Sequence, residues 1–435
     1  MSDIKTVCKT IFSIFGLLFY TSTLKFDSLF SVYDHTKGTY ILASQPLSPI
    51  LSLTQHTIFL VALFFLFIRW KDALEAITRN IFLWSLVAVV LVSFLWSDFP
   101  DVTQPRSLSF LETSLFGLYF ASCYELKVQV RLLACAIGIS LLLNILFTVA
   151  LPIYGIDWII HPGAWKGVFV QKNILGRLVV LGCLAFLLVE IKHKVIKYLP
   201  LIFLSLSIGL IILSQSKSAL LIFLIIVFLL FVLKTLSWSD IVAIPFLFSI
   251  LLIIGSFLII MITNFEKILL SLGRDSTLSG RTVIWSAILE KIQERPLLGY
   301  GYLGFWHNIY GDSADVGKAL GNTYIPPHAH NGFLDLVLSF GWIGALFFGL
   351  SFFLVVRRAI IVVYWRSVTE ELFPFLYLSF LVLYNSIEAT LVEHNSIFWV
   401  LYVSLASTRF LTLDISEEDT VISNNNQKPS FILKE

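Results

Sequence analysis

SALLIFLIIVFLLFVLKTL, residues Ser218–Leu236, decides the fold: nineteen residues hold a single charge, Lys234, and that one lies near the end. At 1.5 Å per helical residue, such a run reaches across a hydrocarbon core roughly 30 Å thick. Comparable runs recur at about residues 11–24, 50–69, 81–97, 106–124, 131–151, 174–190, 198–214, 240–263, 333–356, 370–387 and 396–412. Twelve spans are expected. Composition agrees, because 57% of the 435 residues are hydrophobic and 13% charged, where a soluble domain carries roughly 25% charged residues. Backbone groups find no water partners inside a bilayer, so helices are the spanning element. The expected class is all-α, a polytopic membrane protein. The runs at 11–24 and 106–124 carry several polar residues and also fit shallow or tilted helices.

A net charge of +2 points to neither nucleic acid nor an acidic partner; the placement of charges matters more. Lys and Arg concentrate in alternate connections in a way that puts both termini on the cytoplasmic side. That divides the chain into N-terminal spans (1–263), a large external loop (264–331), C-terminal spans (332–412) and a disordered cytoplasmic tail (413–435). Cys8, Cys123, Cys135 and Cys183 sit in or beside apolar blocks without CxxC spacing, so neither a metal nor a disulfide framework is implied. The first apolar block lacks a small-residue cleavage site and reads as the first span.

A loop of nearly seventy residues needs a fold of its own and invites a function. Within it, RTVIWSAILEKIQER (Arg281–Arg295) places Ile284, Trp285, Ile288, Leu289 and Ile292 at helical spacing. Ser279 is the expected N-cap and Pro296 the stop, giving an amphipathic helix against the membrane domain. GYGYLG (Gly299–Gly304) matches the dinucleotide fingerprint only literally, since no βαβ unit surrounds it.

PPHAHNGFLD (Pro326–Asp335) is the densest polar cluster, at the junction where the loop re-enters the membrane. His328, His330 and Asn331 fit a plain interfacial cap for the next helix. They also fit chemistry, because an imidazole, ordinarily with pKa about 6.5, is a suitable general base for a sugar hydroxyl. A His-x-His pair could instead take a metal, but no further ligand stands at suitable sequence spacing, so none is expected. Basic residues mark the same surface: Lys166, Lys172 and Arg177 in WKGVFVQKNILGR (Trp165–Arg177), Lys217 in LSQSKSALL (Leu213–Leu221), and Arg281. Snorkelling lysine is the plain alternative for Lys217; a pyrophosphate clamp is the functional one. In the last external loop, Glu388, Glu393, His394 and Asn395 stand without a nearby base, and Glu388 reads as an interfacial carboxylate or one facing a cavity.

These stretches, with LWSDFPDVTQPRS (Leu95–Ser107), SGRTVIWSAILEKIQERPLLGYGYLGFW (Ser279–Trp306) and HAHNGFLDLVLSFGWIGAL (His328–Leu346), occur in an order that resembles the O-antigen ligase and Wzy-type polymerase superfamily. The likeness spans roughly residues 80–410 and is greatest to the exopolysaccharide-production (ExoQ-like) polymerase branch. It implies a GT-C-like membrane glycosyltransferase of the bacterial inner membrane, inverting, with a large partly helical periplasmic loop and no cofactor or metal. The implied donor is a glycan on undecaprenyl pyrophosphate, and the acceptor a glycan or lipid-linked acceptor. Membrane lipids and other polysaccharide-assembly proteins are further implied partners. By the likeness, His330 activates the acceptor hydroxyl and Arg281 holds the pyrophosphate. The family's second arginine falls at Lys217, which keeps the charge but not the bidentate fork; Arg177 and Lys172 are expected to share its task. His328, Asn331, Asn173 and Glu388 are supporting candidates. The competing class is a transporter or channel, disfavoured because the polar groups gather at one surface and no interrupted helices pair in matching halves.

Overall fold

The computed structural model describes residues 2–34, 39–191, 193–236, 281–307, 311–320, 325–365 and 369–409. The expected span at 240–263, the Ser279 cap and the tail from 413 lie outside them. Up to residue 236 the helices are α1 (Ser2–Tyr20), α2 (Ser48–Ile68), α3 (Trp70–Thr78), α4 (Ile81–Val92), α5 (Pro100–Cys123), α6 (Leu126–Ala150), α7 (Lys172–Leu188), α8 (Leu199–Ser214) and α9 (Lys217–Leu236). Beyond them come α10 (Arg281–Glu294), α11 (Asp312–Ala319), α12 (Gly332–Trp365), α13 (Phe373–Asn385) and α14 (Ile397–Ser407). Each expected span within the described residues coincides with helix over most of its length.

Among the described residues, four helices are long and apolar enough to cross a bilayer unaided, Ser48–Ile68, Leu126–Ala150, Lys217–Thr235 and Gly332–Val363, and two bent pairs raise the number to six. Side-chain exposure says what surrounds them: Leu53, Leu146 and Phe67 are 69%, 64% and 78% exposed on the isolated chain. Such apolar surface is tolerable only against lipid. By contrast α14 is buried along its whole length. It lies so close to α5 that a Cβ on Gly117 would fall 2.9 Å from the Val400 carbonyl oxygen.

The first apolar block ends in a sharp bend, with Ser22 and Phe26 in left-handed conformation and short 3-10 turns between Thr23 and Phe30. An antiparallel hairpin follows, Ser31–Asp34 (β1) against Thr39–Leu42 (β2), with Tyr33 opposite Tyr40. A second short pair joins Ile156–Asp157 (β3) to Ala164–Trp165 (β4). Neither hairpin was expected from the sequence.

The segment carrying Arg281 packs as its periodicity requires. Ile284, Ile288 and Ile292 of α10 form a satellite core with Tyr300, Phe305, Val316, Ala329 and Leu338. Leu289, expected on the same face, is 49% exposed; Trp285 spends its indole on a hydrogen bond described below. GYGYLG knits this layer to α12. Gly341 breaks that helix with φ 61° and ψ −165°, which frees carbonyls one turn earlier. Tyr300 and Gly301 donate their N–H groups to Leu338 and Ser339 carbonyls, at 3.0 and 2.9 Å. Gly299, at φ 64°, lies where a Cβ would meet the Leu338 oxygen at 2.5 Å, so close backbone approach requires glycine here.

Candidate functional site

The first turn of α12 fixes the two histidines. Asn331 caps it, its side-chain oxygen accepting the N–H groups of Phe333 at 3.0 Å and Leu334 at 3.2 Å. Asp335, one turn on, reaches back: its carboxylate accepts the Ala329 N–H at 3.0 Å and the Trp306 indole N–H at 2.9 Å. Trp285 donates to the Ala329 carbonyl at 2.9 Å. With Ala329 held at both ends, His330 is forced to φ 52°. A histidine in the left-handed region is uncommon and persists where surrounding contacts over-determine it. The His330 N–H donates to Nδ1 of His328 at 3.1 Å, so neutral His328 carries its proton on Nε2.

Glu388 arrives from the loop after α13 because Gly332 admits Asn385: a Cβ on that glycine would sit 2.2 Å from the Asn385 Oδ1. One Glu388 oxygen, Oε2, lies 3.4 Å from His330 Nδ1 and 3.9 Å from His328 Nε2. The other faces Asn173 Nδ2 at 3.4 Å, and Asn173 in turn accepts from the Ser216 hydroxyl at 3.0 Å. An ionised carboxylate is acceptor only, so Glu388 is a hub that orients three donors from α7 and the HAHN turn. Burial pushes the His328 imidazole down, to about 4, and the neighbouring His330, Arg177 and Arg281 act the same way. For Glu388, burial alone would raise the carboxyl. The hydrogen bond with His330 and the charges of His328, His330 and Arg281 outweigh it, and its pKa lies below the ordinary value.

The basic residues divide. The charges of Arg281, at the start of α10, and Arg177, on α7, both bear on His328, and Arg281 also bears on Glu388. Arg177 lies 3.7 Å from Glu393 and stacks over Phe398 at 5.3 Å. Lys172 donates to the Gln215 carbonyl at 3.2 Å, closing the end of α8. Lys217 is exposed at the start of α9 and makes no hydrogen bond or ion pair with the described residues. Lys166 belongs elsewhere: its buried ammonium sits 3.9 Å over the Tyr40 ring, tying the first hairpin to β4.

His328, His330 and Glu388 each offer a ligand atom, all within 4.8 Å of one another. The sequence offered only two such ligands; the fold supplies the third. Metal ligation by His328 Nε2 demands the other tautomer, with the proton on Nδ1, and that would set two N–H groups against each other at the His330 amide. The arrangement suits proton transfer better: an imidazole backed by a carboxylate and flanked by two guanidinium groups can accept a proton beside a site where negative charge leaves.

Sequence reasoning named His330, Arg281 and Arg177 as candidates, and their charges all bear on His328, but it treated Glu388 and Glu393 as lacking a nearby base. In space Glu388 meets both histidines and Glu393 meets Arg177. It also missed Asp335, Trp285 and Trp306, which hold the turn; the visible signal was Asp335 at the fifth position after His330, one turn into an apolar helix.

A family model described as O-Antigen ligase (Wzy_C) matches residues 201–349, which contain Lys217, Arg281, His328, His330 and Asn331. The exopolysaccharide production protein ExoQ of Rhizobium meliloti (strain 1021) is 33% identical over 85 residues, 19% of this chain and 19% of that protein. The match thus spans about a fifth of that relative's length. A chain from a solved structure described as "Structural coordination of polymerization and crosslinking by a peptidoglycan synthase complex" aligns with TM-score 0.38 and 16% identity, covering 78% of this chain and 94% of that one. The first two matches agree with the resemblance read from the sequence, to the O-antigen ligase and Wzy-type superfamily on its exopolysaccharide side.

Proposed function

We propose, with the O-antigen ligase match over residues 201–349 as premise, that the protein transfers a glycan from undecaprenyl pyrophosphate to a hydroxyl of a glycan or lipid-linked acceptor. The reaction takes place at the periplasmic face of a bacterial inner membrane, both termini being cytoplasmic, and serves exopolysaccharide or O-antigen assembly. What carries this reading is the convergence of His330, Glu388, Arg281 and Arg177 from four separate segments on one cluster.

Nδ1 of His330 faces Glu388, which leaves Nε2 to accept the acceptor's hydroxyl proton. The hydroxyl oxygen attacks the anomeric carbon as the bond from that carbon to the pyrophosphate oxygen breaks, and undecaprenyl pyrophosphate departs. Glu388 stabilises the imidazolium that forms, as the carboxylate does in other His–carboxylate pairs. Arg281 and Arg177 hold the pyrophosphate and offset the charge developing on it, with Lys172 and Lys217 adding charge at the rim. Attack opposite the leaving group inverts the anomeric centre. No metal is required, since the leaving group is already activated and its charge is met by arginine.

Deleting the gene and profiling lipid-linked glycans tests the function. Accumulated single repeats are expected for a polymerase and long undelivered chains for a ligase; an unchanged profile contradicts both. Anomeric NMR of donor and product tests the stereochemistry, with retention as the contrary result.

A further inference from the structure

Midway along α5, FLETSLFG (Phe110–Gly117) sets three polar residues in a row, Glu112, Thr113 and Ser114, inside an apolar run. All three are buried, α5 being packed between α2 and α14, and the reaction leaves them without a role. An ionisable side chain in the interior of a membrane bundle is costly, and is kept where it has a task and a partner.

Each of the three reaches the chain around the start of α14. One Glu112 oxygen accepts from Gln55 Nε2 at 2.5 Å, and His56 Nδ1 lies 2.8 Å from the other. Gln55 passes the link on, its Oε1 accepting from Asn395 Nδ2 at 2.8 Å. The Thr113 hydroxyl accepts the backbone N–H of the same Asn395 at 3.0 Å, and the Ser114 hydroxyl accepts the Trp399 indole N–H at 2.8 Å. Both hydroxyls give their own protons back to α5, to the carbonyls of Ser109 and Phe110 at 2.7 and 2.8 Å. Asn395 is thus held by its side chain and by its backbone. It stands at φ 54°, a conformation uncommon outside glycine that persists where surrounding contacts over-determine it.

That turn is the far end of the connection from α13 to α14. The near end is set by Asn385, whose side-chain oxygen accepts the Thr390 N–H at 2.8 Å. Between the two anchors stand Glu388, which faces His330, and Glu393, which faces Arg177. Both carboxylates therefore take their places from a loop pinned at its ends, and a catalytic group is only as well placed as the residues that support it. We infer that Glu112 is a positioning residue for the transfer reaction: through Gln55 and Asn395 it fixes the loop that presents Glu388 to His330 and Glu393 to Arg177. The inference rests on the glycosyl-transfer reading and extends it to a residue inside the bundle. Ser114, bonded to α14 itself, serves the fold alone.

The test expresses variants of the full chain in the deletion strain and reads the initial rate of surface-polysaccharide formation per folded molecule. Hydrogen exchange of residues 386–396 is followed on the same proteins in lipid nanodiscs. Glu112→Leu, which removes the acceptor, should lower the rate about tenfold, the worth of one hydrogen bond to a charged group, and speed exchange in the loop. Gln55→Leu should do the same, and decides the matter if the first variant does not fold. Glu112→Gln keeps an acceptor for Gln55 and should return the rate to within about twofold of wild type. Asn395→Gly tolerates the positive φ, and combining it with Glu112→Leu should be no slower than the slower single variant, since both act through one link. Ser114→Ala should lower the melting temperature and leave the rate per folded molecule unchanged. A normal rate in both leucine variants, no recovery in Glu112→Gln, losses that multiply in the double variant, or an equal loss of rate in Ser114→Ala overturns the role. Failure of the transferase reading shows separately, as a deletion strain with an unchanged polysaccharide profile while exchange of residues 386–396 still responds to Glu112→Leu.

Discussion

Two of the three histidine–asparagine pairs in the sequence precede helices of the same bundle, each with one residue in the left-handed region. In His330–Asn331 the histidine takes φ 52° and the asparagine caps α12. In His394–Asn395 the asparagine takes φ 54°, and the histidine is locked by Tyr302. The exchange of roles decides what each imidazole can do. His330 keeps 29% of its side chain exposed and faces a carboxylate. His394 is driven down to about 3, first by burial and then by the charges of Lys25 and Arg106, and no acid strong enough to charge it occurs near neutral pH. One dipeptide thus yields a candidate base in one place and a fixed neutral imidazole in the other, and the difference lies in the partners.

The largest effect separates the two directly. His330→Ala should lower transfer turnover on the order of 10²–10⁴-fold, the usual worth of a general base, with the protein still folded by thermal melting. His394→Ala should act mainly on folded yield. Equal loss of turnover per folded molecule in both variants breaks the distinction.

Arg281→Ala should cost turnover roughly 10²–10³-fold, the magnitude seen when one group stabilising developing charge is removed. Arg281→Lys should recover part of it, since charge is kept and the fork is lost. Full activity in the alanine variant, by the same assay, removes Arg281 from the site.

The smallest effect concerns pH. His328 and His394 bind protons in the fold only at about 4 and about 3, whereas unfolded histidine does so near 6.5. Between these values the unfolded chain holds more protons, so the stability contributed by neutral burial is present above about pH 6.5 and is lost as the pH falls towards 4. The melting temperature should drop over that window, and His394→Gln should flatten the slope. A slope unchanged in the variant contradicts the buried neutral state.

Most helices were legible because an apolar run in a bilayer leaves the backbone no alternative. Less legible were the breaks: nothing in the local pattern says that Gly341 opens α12, because the carbonyls it frees are satisfied by Tyr300 and Gly301 from elsewhere in the chain. The same non-locality hid half of the candidate site. His330 announced itself as a polar residue at a helix start, but Glu388 becomes its partner only through the contact of Gly332 with Asn385. His394 read only as one polar residue of the last external loop, and its partner Tyr302, more than ninety positions away, meets both its amide and its ring.

That His330 and Glu388 work as one unit is best tested by a double-mutant cycle on transfer turnover, with His330→Ala, Glu388→Gln and both together. Glu388→Gln alone should cost roughly 10–10²-fold, as loss of a residue that positions the base and stabilises its charged form. Once the imidazole is gone Glu388 has nothing left to orient, so the double variant should be no slower than His330→Ala within about twofold. Losses that multiply in full would mean that the two residues act independently.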